Sequence, residues 1–178
     1  MKHICTITDK EITGSDALSS ATPRIAVGVV LFDDNNNIAL SYIGAWGEHG
    51  LPGGGVDDGE DFISAVKREA WEETGCQCEI IEEIGATFEN RGEHDFVQEK
   101  YHYTARVIGQ KGKLHLEDYE VESKTTVRWY PLEQAFQILS EFQPNNIQQE
   151  FIKRRDLAVL KEVVKQRSPT NEGSLHIV

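Results

Sequence analysis

Apolar residues in the first third of the chain form two runs separated by polar breaks. Residues 25–32 are almost continuously apolar, which predicts a strand that is buried on both faces. A polar turn over 33–37 follows, and residues 38–43 resume a strand pattern, so we expect the two strands to form a hairpin. Residues 44–50 are predicted to be a loop. The polar, Ser/Thr-rich residues 1–22 are predicted to be either a loose arm or an edge strand.

The pattern changes to a helical period after a glycine-dense loop. Its apolar positions, at the spacing of one helix face, are Phe62, Ile63, Val66 and Ala70. Asp61 is suited to cap the first turn with its side chain, and Gly75 is suited to close the helix in the left-handed conformation. The sequence therefore predicts a short helix between these two residues, with its glutamates at the edge of the buried face.

The rest of the chain reads as strands followed by helices. In chain order we predict a strand over 79–85, a polar loop over 86–95, a long alternating strand over 96–108, a hairpin turn over 109–112, an acidic segment over 114–123, a strand over 125–130, and helices over 131–142 and 147–166. The last residues, 167–178, are predicted to be disordered.

Composition and charge narrow the class of protein. A chain of 178 residues is long enough for one domain with a buried core. The formal net charge of −12 disfavours non-specific binding to nucleic acid or to an anionic membrane. Three cysteines, an odd number, indicate reduced thiols and not a disulfide framework. Because no apolar run reaches membrane-spanning length and the N-terminus lacks a signal-peptide core, we expect a cytoplasmic protein.

Three carboxylates on the central helix carry the candidate chemistry. Glu69, Glu72 and Glu73 occupy positions i, i+3 and i+4, which lie on one helix face. Like charges at this spacing repel, and nothing in the local sequence neutralises all three. A divalent cation would do so, and magnesium takes carboxylate oxygens while keeping waters that substrate phosphates replace.

The same stretch resembles the signature box of the Nudix hydrolases. The matching positions are Gly54, Glu60, Arg68, Glu69, Glu72, Glu73 and Gly75. Ala70 and Cys76 stand where that family prefers bulky aliphatic residues, which is a mild departure. The resemblance implies an α+β fold, a Nudix-type α/β/α sandwich with a central mixed sheet, and the final helix is an addition to it. It also implies the division into an arm or edge strand (1–22), a Nudix domain (23–142), a C-terminal helix (143–166) and a tail (167–178).

The resemblance further implies roles for residues of the box. Glu69, Glu72 and Glu73, with the backbone carbonyl of Gly53, would hold Mg²⁺, for which Mn²⁺ is an alternative. Arg68 and Glu60 would form a salt bridge that orients the box. An ordinary helical ion pair between Arg68 and Glu72 is the competing interpretation. The general base stays open among Glu69 and two glutamates of the acidic segment, Glu120 and Glu122, for which a solvated acidic loop is the alternative.

Substrate contacts are less well defined by the sequence. Gly54 and Gly55 would let the backbone approach phosphate closely. The polar face of the strand over 96–108 would line the cleft through Lys100, His102 and Arg106, unless it faces solvent. Trp46 and Tyr42 would stack on a base, or else serve in packing. The chain departs from common family patterns at Ser41 to Ile43, where an arginine or lysine is frequent, and at His49, where a tryptophan is frequent.

The predicted reaction is metal-dependent cleavage of the P–O–P bond of a nucleoside diphosphate derivative. The resemblance also bears on the substrate, since ADP-ribose enzymes of the family resemble one another in a proline past the box and dinucleoside-polyphosphate enzymes tend to have a tyrosine nearby. Here no proline lies between Pro52 and Pro131 and no tyrosine lies within 89–98, which favours a nucleoside or deoxynucleoside triphosphate, or a broad set of nucleotides, by elimination. An enzyme that cleaves ADP-ribose or nucleotide sugars is one alternative. A non-catalytic nucleotide sensor is another. The apolar stripe of the last helix, beside Lys153 to Arg155, is a candidate surface for a homodimer.

Overall fold

A computed structural model describes residues 1–167 of the chain. Its elements are β1 His3–Thr8, β2 Arg24–Phe32, β3 Asn37–Ile43, β4 Glu48–Gly50, α1 Phe62–Thr74, β5 Gln77–Arg91, β6 Phe96–Ile108, α2 Asp118–Glu122, β7 Thr125–Pro131, α3 Leu132–Glu141 and α4 Ile147–Arg167. Residues 168–178 lie outside the described residues, and with them lies almost all of the segment predicted to be disordered.

The strands form one mixed sheet in the order β1-β5-β6-β2-β3-β4, with β7 on the second edge of β3. β1 pairs with β5 in parallel, and β2 pairs with β6 in parallel. The remaining pairs are antiparallel. Residues 3–8 are therefore an edge strand, the second of the two alternatives that the polar N-terminal segment left open.

Helices cover both faces of this sheet, which confirms the expected α/β/α sandwich. Alternating residues of β2 point to opposite faces. Val27, Val29 and Leu31 join one core with α1, whereas Val30 and Phe32 join a second core with α3 and α4. A strand with apolar residues at every position is required in this place, because both of its faces are buried.

The ends of α1 match the prediction, but its buried face is shifted. The Asp61 side chain accepts a hydrogen bond from the Ser64 N–H, and Gly75 closes the helix at φ 68°. Ile63, predicted to belong to the apolar stripe, is 38% exposed, while Glu69 and Glu73 are each only 8% exposed. The two glutamates lie on the buried face and not at its edge. Glu73 accepts hydrogen bonds there from Ser41 of the sheet and from the Gly53 N–H of the loop, and Glu69 accepts one from Arg68.

Three predictions about connections were wrong. Residues 86–91 are not a loop but the second half of β5, whose backbone bonds to β6 on one side and to β1 on the other. The glycine turn over 109–112 forms no hairpin, since the next strand, β7, pairs with β3. It instead contacts the end of α1, where the Gly112 N–H donates to the Gly75 carbonyl at 2.9 Å. The loop over 44–50 contains the short strand β4, which pairs with β3.

The last helix packs against its own sheet. Phe151, Val159 and Leu160 of α4 are fully buried. The apolar stripe that the sequence offered as a dimerisation surface is thus largely occupied within the chain, and α4 becomes a wall of the domain. None of the helices within residues 1–167 combines the length and the apolar character needed to cross a membrane.

Candidate active site

The glycine loop is held against β2 by backbone hydrogen bonds. The N–H groups of Val29 and Val27 donate to the carbonyls of Pro52 and Gly54 at 3.0 and 2.9 Å. Gly53 has φ 140°, and a Cβ there would collide with the Val27 carbonyl, so only glycine fits. A Cβ on Gly54 would instead collide with the Glu69 carboxylate. The loop therefore brings its backbone directly against the carboxylates of α1.

Arg68 binds several partners around the loop at once. Its guanidinium donates two hydrogen bonds to Glu60, at 3.0 and 2.9 Å, and one to the Gly55 carbonyl at 2.8 Å. It also contacts Glu69 at 2.8 Å and Glu72 at 3.1 Å. Arg68 therefore forms both the ion pair with Glu60 that the family resemblance implied and the helical ion pair with Glu72 that was the alternative. The bond to Glu60 contributes most to raising the pKa of Arg68, which keeps the guanidinium charged.

Glu73 is one of the two buried carboxylates of α1. Burial raises its pKa to about 7, against the opposing effect of its hydrogen bonds from the Ser41 hydroxyl and the Gly53 N–H. The Gly53 N–H contact measures 3.0 Å. Burial also raises the pKa of Glu69, and this effect outweighs the opposing effect of the neighbouring Arg68 guanidinium. Glu73 is stabilised by donors from the sheet and the loop that no local sequence pattern identifies.

A cavity of about 310 Å³ opens beside Glu73. Glu120 from α2 lines it, and burial raises the pKa of this carboxyl, with Glu117 and Glu72 adding to the effect. Trp46 lines the same cavity and is 58% exposed. Glu122 is exposed and does not line it, so the structure brings only one of the two acidic-segment candidates to the site.

The polar face of β6 contributes one of its three candidates to the cavity. Lys100 lines it, and burial, followed by the charge of Arg155, lowers its pKa to about 8. His102 is fully buried behind it and bonds to the Thr87 hydroxyl at 2.9 Å. Arg106 lies at the other end of the strand, where it donates to the Asp33 carbonyl at 3.1 Å. The last two are therefore structural residues of the sheet and not substrate contacts.

Tyr42 also has a packing role instead of the stacking role suggested by the sequence. The guanidinium of Arg128 lies 3.4 Å from its ring centroid, and the ring of His49 lies at 4.7 Å. Tyr42 is absent from the lining of the cavity, whereas the adjacent Ser41 is part of it. The Ser41 hydroxyl donates a hydrogen bond to the Glu73 carboxylate.

A second cavity, of about 670 Å³, adjoins the first along β6 and α4. Arg24, Arg91, Lys100 and Arg155 line it. Sequence reasoning missed three of these four cations, and only the position of Arg24 at the start of a core strand offered a hint. Arg91 belongs to a segment predicted to be a loop, and Arg155 lies on a helix whose inner face cannot be assigned without the fold.

Arg155 anchors α4 to the site through buried ion pairs. Its guanidinium contacts Asp156 at 2.8 Å and Glu89 at 3.2 Å. Asp156, which is completely buried, also accepts a hydrogen bond from the Leu51 N–H at 2.8 Å. The extra helix is thereby connected to the first residue of the glycine loop, so it belongs to the site and is not a peripheral extension.

The donor set of the site suits a hard divalent cation in its chemistry. Carboxylates of Glu69, Glu72, Glu73 and Glu120 influence one another electrostatically, and the Gly53 carbonyl receives only a long contact, 3.5 Å, from Lys100. Oxygen ligands of this kind are those that magnesium prefers. Among residues 1–167, no group of three or more Asp, Glu, His or Cys side chains has a geometry that could hold a metal ion. The carboxylates of α1 instead accept hydrogen bonds from Arg68, Ser41 and the Gly53 N–H.

Fold and site together define the class: an α/β/α sandwich whose glycine loop and acidic helix meet at a cavity that cations also line. The chain belongs to the family described as NUDIX domain, which matches residues 22–154. This match confirms the family that the glutamate box indicated, and it extends into α4.

Individual relatives agree with this assignment. An RNA pyrophosphohydrolase from Dinoroseobacter shibae is 36% identical over 77 residues, which cover 40% of this chain and 46% of that protein. The chain spans about half the length of the curated relatives it matches.

Two solved structures share the fold. A NUDIX hydrolase from Nitrosomonas europaea has a TM-score of 0.61 at 14% identity, covering 87% of this chain and 98% of that one. The NUDIX domain of Shewanella oneidensis NrtR, complexed with ADP ribose, has a TM-score of 0.60 at 20% identity, covering 83% and 90%.

Proposed function

We propose that this protein is a divalent-metal-dependent pyrophosphohydrolase that cleaves the P–O–P bond of a nucleotide. The observation that carries the proposal is a single cavity lined both by the carboxylates of Glu73 and Glu120 and by the cations Lys100 and Arg155. A polyphosphate needs cationic contacts for its oxygens, and hydrolysis needs anionic groups that hold a metal or accept a proton. Both kinds of group line one cavity here.

Glu69, Glu72 and Glu73, with the Gly53 carbonyl, would hold Mg²⁺, and Mn²⁺ would substitute for it. The bound metal supplies Lewis-acid polarisation of phosphate oxygens and a lowered pKa of a coordinated water. Arg68 and Glu60 act as positioning residues, because the hydrogen bonds of Arg68 to Glu60 and to the Gly55 carbonyl fix the loop, and those to Glu69 and Glu72 fix the two glutamates.

Glu120 is the general base that we favour. It lines the cavity, whereas Glu69 is held by Arg68 and packs against Gly54. In the proposed step the oxygen of a water attacks phosphorus, its proton passes to Glu120, and the bond from phosphorus to the bridging oxygen breaks. Lys100 and Arg155 offset the charge that develops on the phosphate oxygens.

The substrate that we propose is a nucleoside triphosphate, or a broad set of nucleotides, with its base stacked on the exposed Trp46. A second candidate is the 5′ end of RNA, which the names of the curated relatives favour. The net charge of −12 counts against extended contacts with an RNA backbone. The unpaired cysteines Cys5, Cys76 and Cys78 support a reducing, cytoplasmic setting.

A nucleotide panel tests the proposal. Nucleoside triphosphates, nucleoside diphosphate sugars, dinucleoside polyphosphates and 5′-triphosphate RNA are incubated with Mg²⁺, with Mn²⁺ or with EDTA, and released phosphate and pyrophosphate are measured. We expect turnover only with metal. Glu73→Gln should reduce kcat by about 10²-fold or more, the scale of losing a group that acts on transition-state charge. Glu79→Gln, which changes an exposed glutamate of β5, is the matched control. Tight binding of one nucleotide without turnover would favour a sensor instead.

A further inference from the structure

The larger cavity has a charge composition opposite to that of the chain. Its ionisable lining residues are Arg24, Arg91, Lys100, Arg155 and His94, and no Asp or Glu of residues 1–167 belongs to the lining. The protein as a whole carries a formal net charge of −12. Four strongly basic side chains therefore line a space of about 670 Å³ and make it locally positive, although the net charge of the chain is negative. We call this space the cationic cavity.

Two of these cations have no direct acidic partner within residues 1–167. Arg24 donates to the amide oxygen of Gln98 at 3.0 Å. Lys100, only 5% exposed, contacts the Gly53 carbonyl at 3.5 Å, which is the limit for a hydrogen bond. The carboxylates of Asp156, Glu73 and Glu89 act on the buried Lys100 ammonium only through space, so an anionic ligand would supply the direct partner that it lacks.

The other two cations are already partly compensated. Arg91 and Arg155 share the carboxylate of Glu89, at 2.5 and 3.2 Å. This pairing fixes their side chains, which lowers the entropy cost of binding a ligand. The first turn of α4 also lines the cavity, through Asn146, Ile147 and Gln148, and this places the positive end of the helix dipole there.

The cationic cavity adjoins the catalytic one. Gly53, Lys100, Gln148, Ile152 and Arg155 line both spaces. A ligand whose scissile bond lies beside Glu73 would reach the cationic cavity by extending past Lys100. Phe96 and Ile147 add apolar surface to its walls.

We propose that the cationic cavity binds the terminal phosphates of the substrate, so that the enzyme selects nucleotides with three or more linked phosphates over nucleoside diphosphate sugars. This proposal rests on the proposed function for the position of the scissile bond. A bridging phosphate carries about one negative charge, whereas a terminal phosphate carries about −1.5 to −2 at neutral pH. A nucleoside diphosphate sugar has no terminal phosphate, so it would leave the basic side chains without a matching charge.

Binding of inorganic tripolyphosphate in EDTA tests the cavity apart from catalysis. Isothermal titration calorimetry compares the full-length protein with Arg24→Gln and with Lys100→Met, each checked for folding by circular dichroism. Each substitution should weaken binding about ten- to hundred-fold, as expected for loss of a charge-assisted hydrogen bond. Arg154→Gln is the matched control, because Arg154 is an exposed residue of α4 that pairs with Glu150 at 2.6 Å. Added salt should weaken binding to the parent protein.

A second measurement reads selectivity. The ratio of kcat/KM for a nucleoside triphosphate to that for a nucleoside diphosphate sugar should fall at least about tenfold in Arg24→Gln and stay unchanged in Arg154→Gln. The inference is overturned if tripolyphosphate does not bind, or if all three variants bind it equally, even when metal-dependent hydrolysis is present. Conversely, binding that depends on Arg24 in a protein that hydrolyses no nucleotide would support the cationic cavity and refute the proposed function.

Discussion

Asp156 offers a sharp test of how α4 supports the site. Its side chain is completely buried and makes two contacts of 2.8 Å, one from the Arg155 guanidinium and one from the Leu51 N–H. Asp156→Ala removes both acceptors at once. Breaking a buried ion pair typically costs about 3–5 kcal/mol, and leaving a buried N–H without a partner costs about 1–3 kcal/mol.

These two costs do not simply add. Arg155 retains Glu89 at 3.2 Å, so its charge is not left without any partner. We therefore expect Asp156→Ala to lower the free energy of unfolding by about 3–5 kcal/mol, which is a large fraction of the stability of a typical domain. Asp156→Asn keeps the volume and one acceptor, so it should cost less, about 2 kcal/mol.

Equilibrium unfolding in urea, followed by tryptophan fluorescence, gives the measurement, since the chain has 3 tryptophans. The midpoint should fall in Asp156→Ala with little change in the denaturant slope. Asp34→Ala, at an exposed residue after β2, is the control and should stay within about 0.5 kcal/mol of the parent. If Asp156→Ala and Asp34→Ala unfold at the same urea concentration, the inference that this carboxylate connects α4 to the glycine loop is refuted.

Three further predictions concern the site and its surroundings. Burial opposes ionisation of Glu89, but two arginines outweigh it and hold its pKa below the ordinary 4.5. The stability lost in Glu89→Gln, measured in urea at several pH values, should therefore be constant above about pH 5 and shrink as the pH falls below that ordinary value; a flat difference would contradict this. Gly54→Ala should remain folded yet lose at least about tenfold in kcat, because the new Cβ displaces the Glu69 carboxylate; an active variant would show that Glu69 needs no fixed position. Glu120→Gln should slow turnover about 10²-fold or more while Glu122→Gln does not, and equal rates would exclude Glu120 as the base.

The comparison of sequence and structure separates local from distant causes. The ends of α1, the pairing of Arg68 with Glu72, and the strands β2 and β6 could be predicted, because each depends on residues that are close in sequence. The pairing of Arg68 with Glu60 was implied by the family resemblance. That residues 86–91 form a strand could not be predicted, because they do so only by pairing with β1 and β6. Its local composition is polar, and only those partners satisfy its backbone.

The same division holds for the carboxylates of α1. Their spacing alone places Glu69, Glu72 and Glu73 on one helix face, and with the glycine loop it was enough to indicate the family. It could not show that Glu73 is buried with a pKa of about 7, because Ser41 lies 32 positions away in the chain. Nor could it show that Lys100 and Arg155 line the same cavity as Glu73, since they lie on β6 and α4. Helix geometry is repeated every few residues and can be read from spacing, whereas burial and charge pairing depend on which elements pack together, and only the tertiary structure decides that.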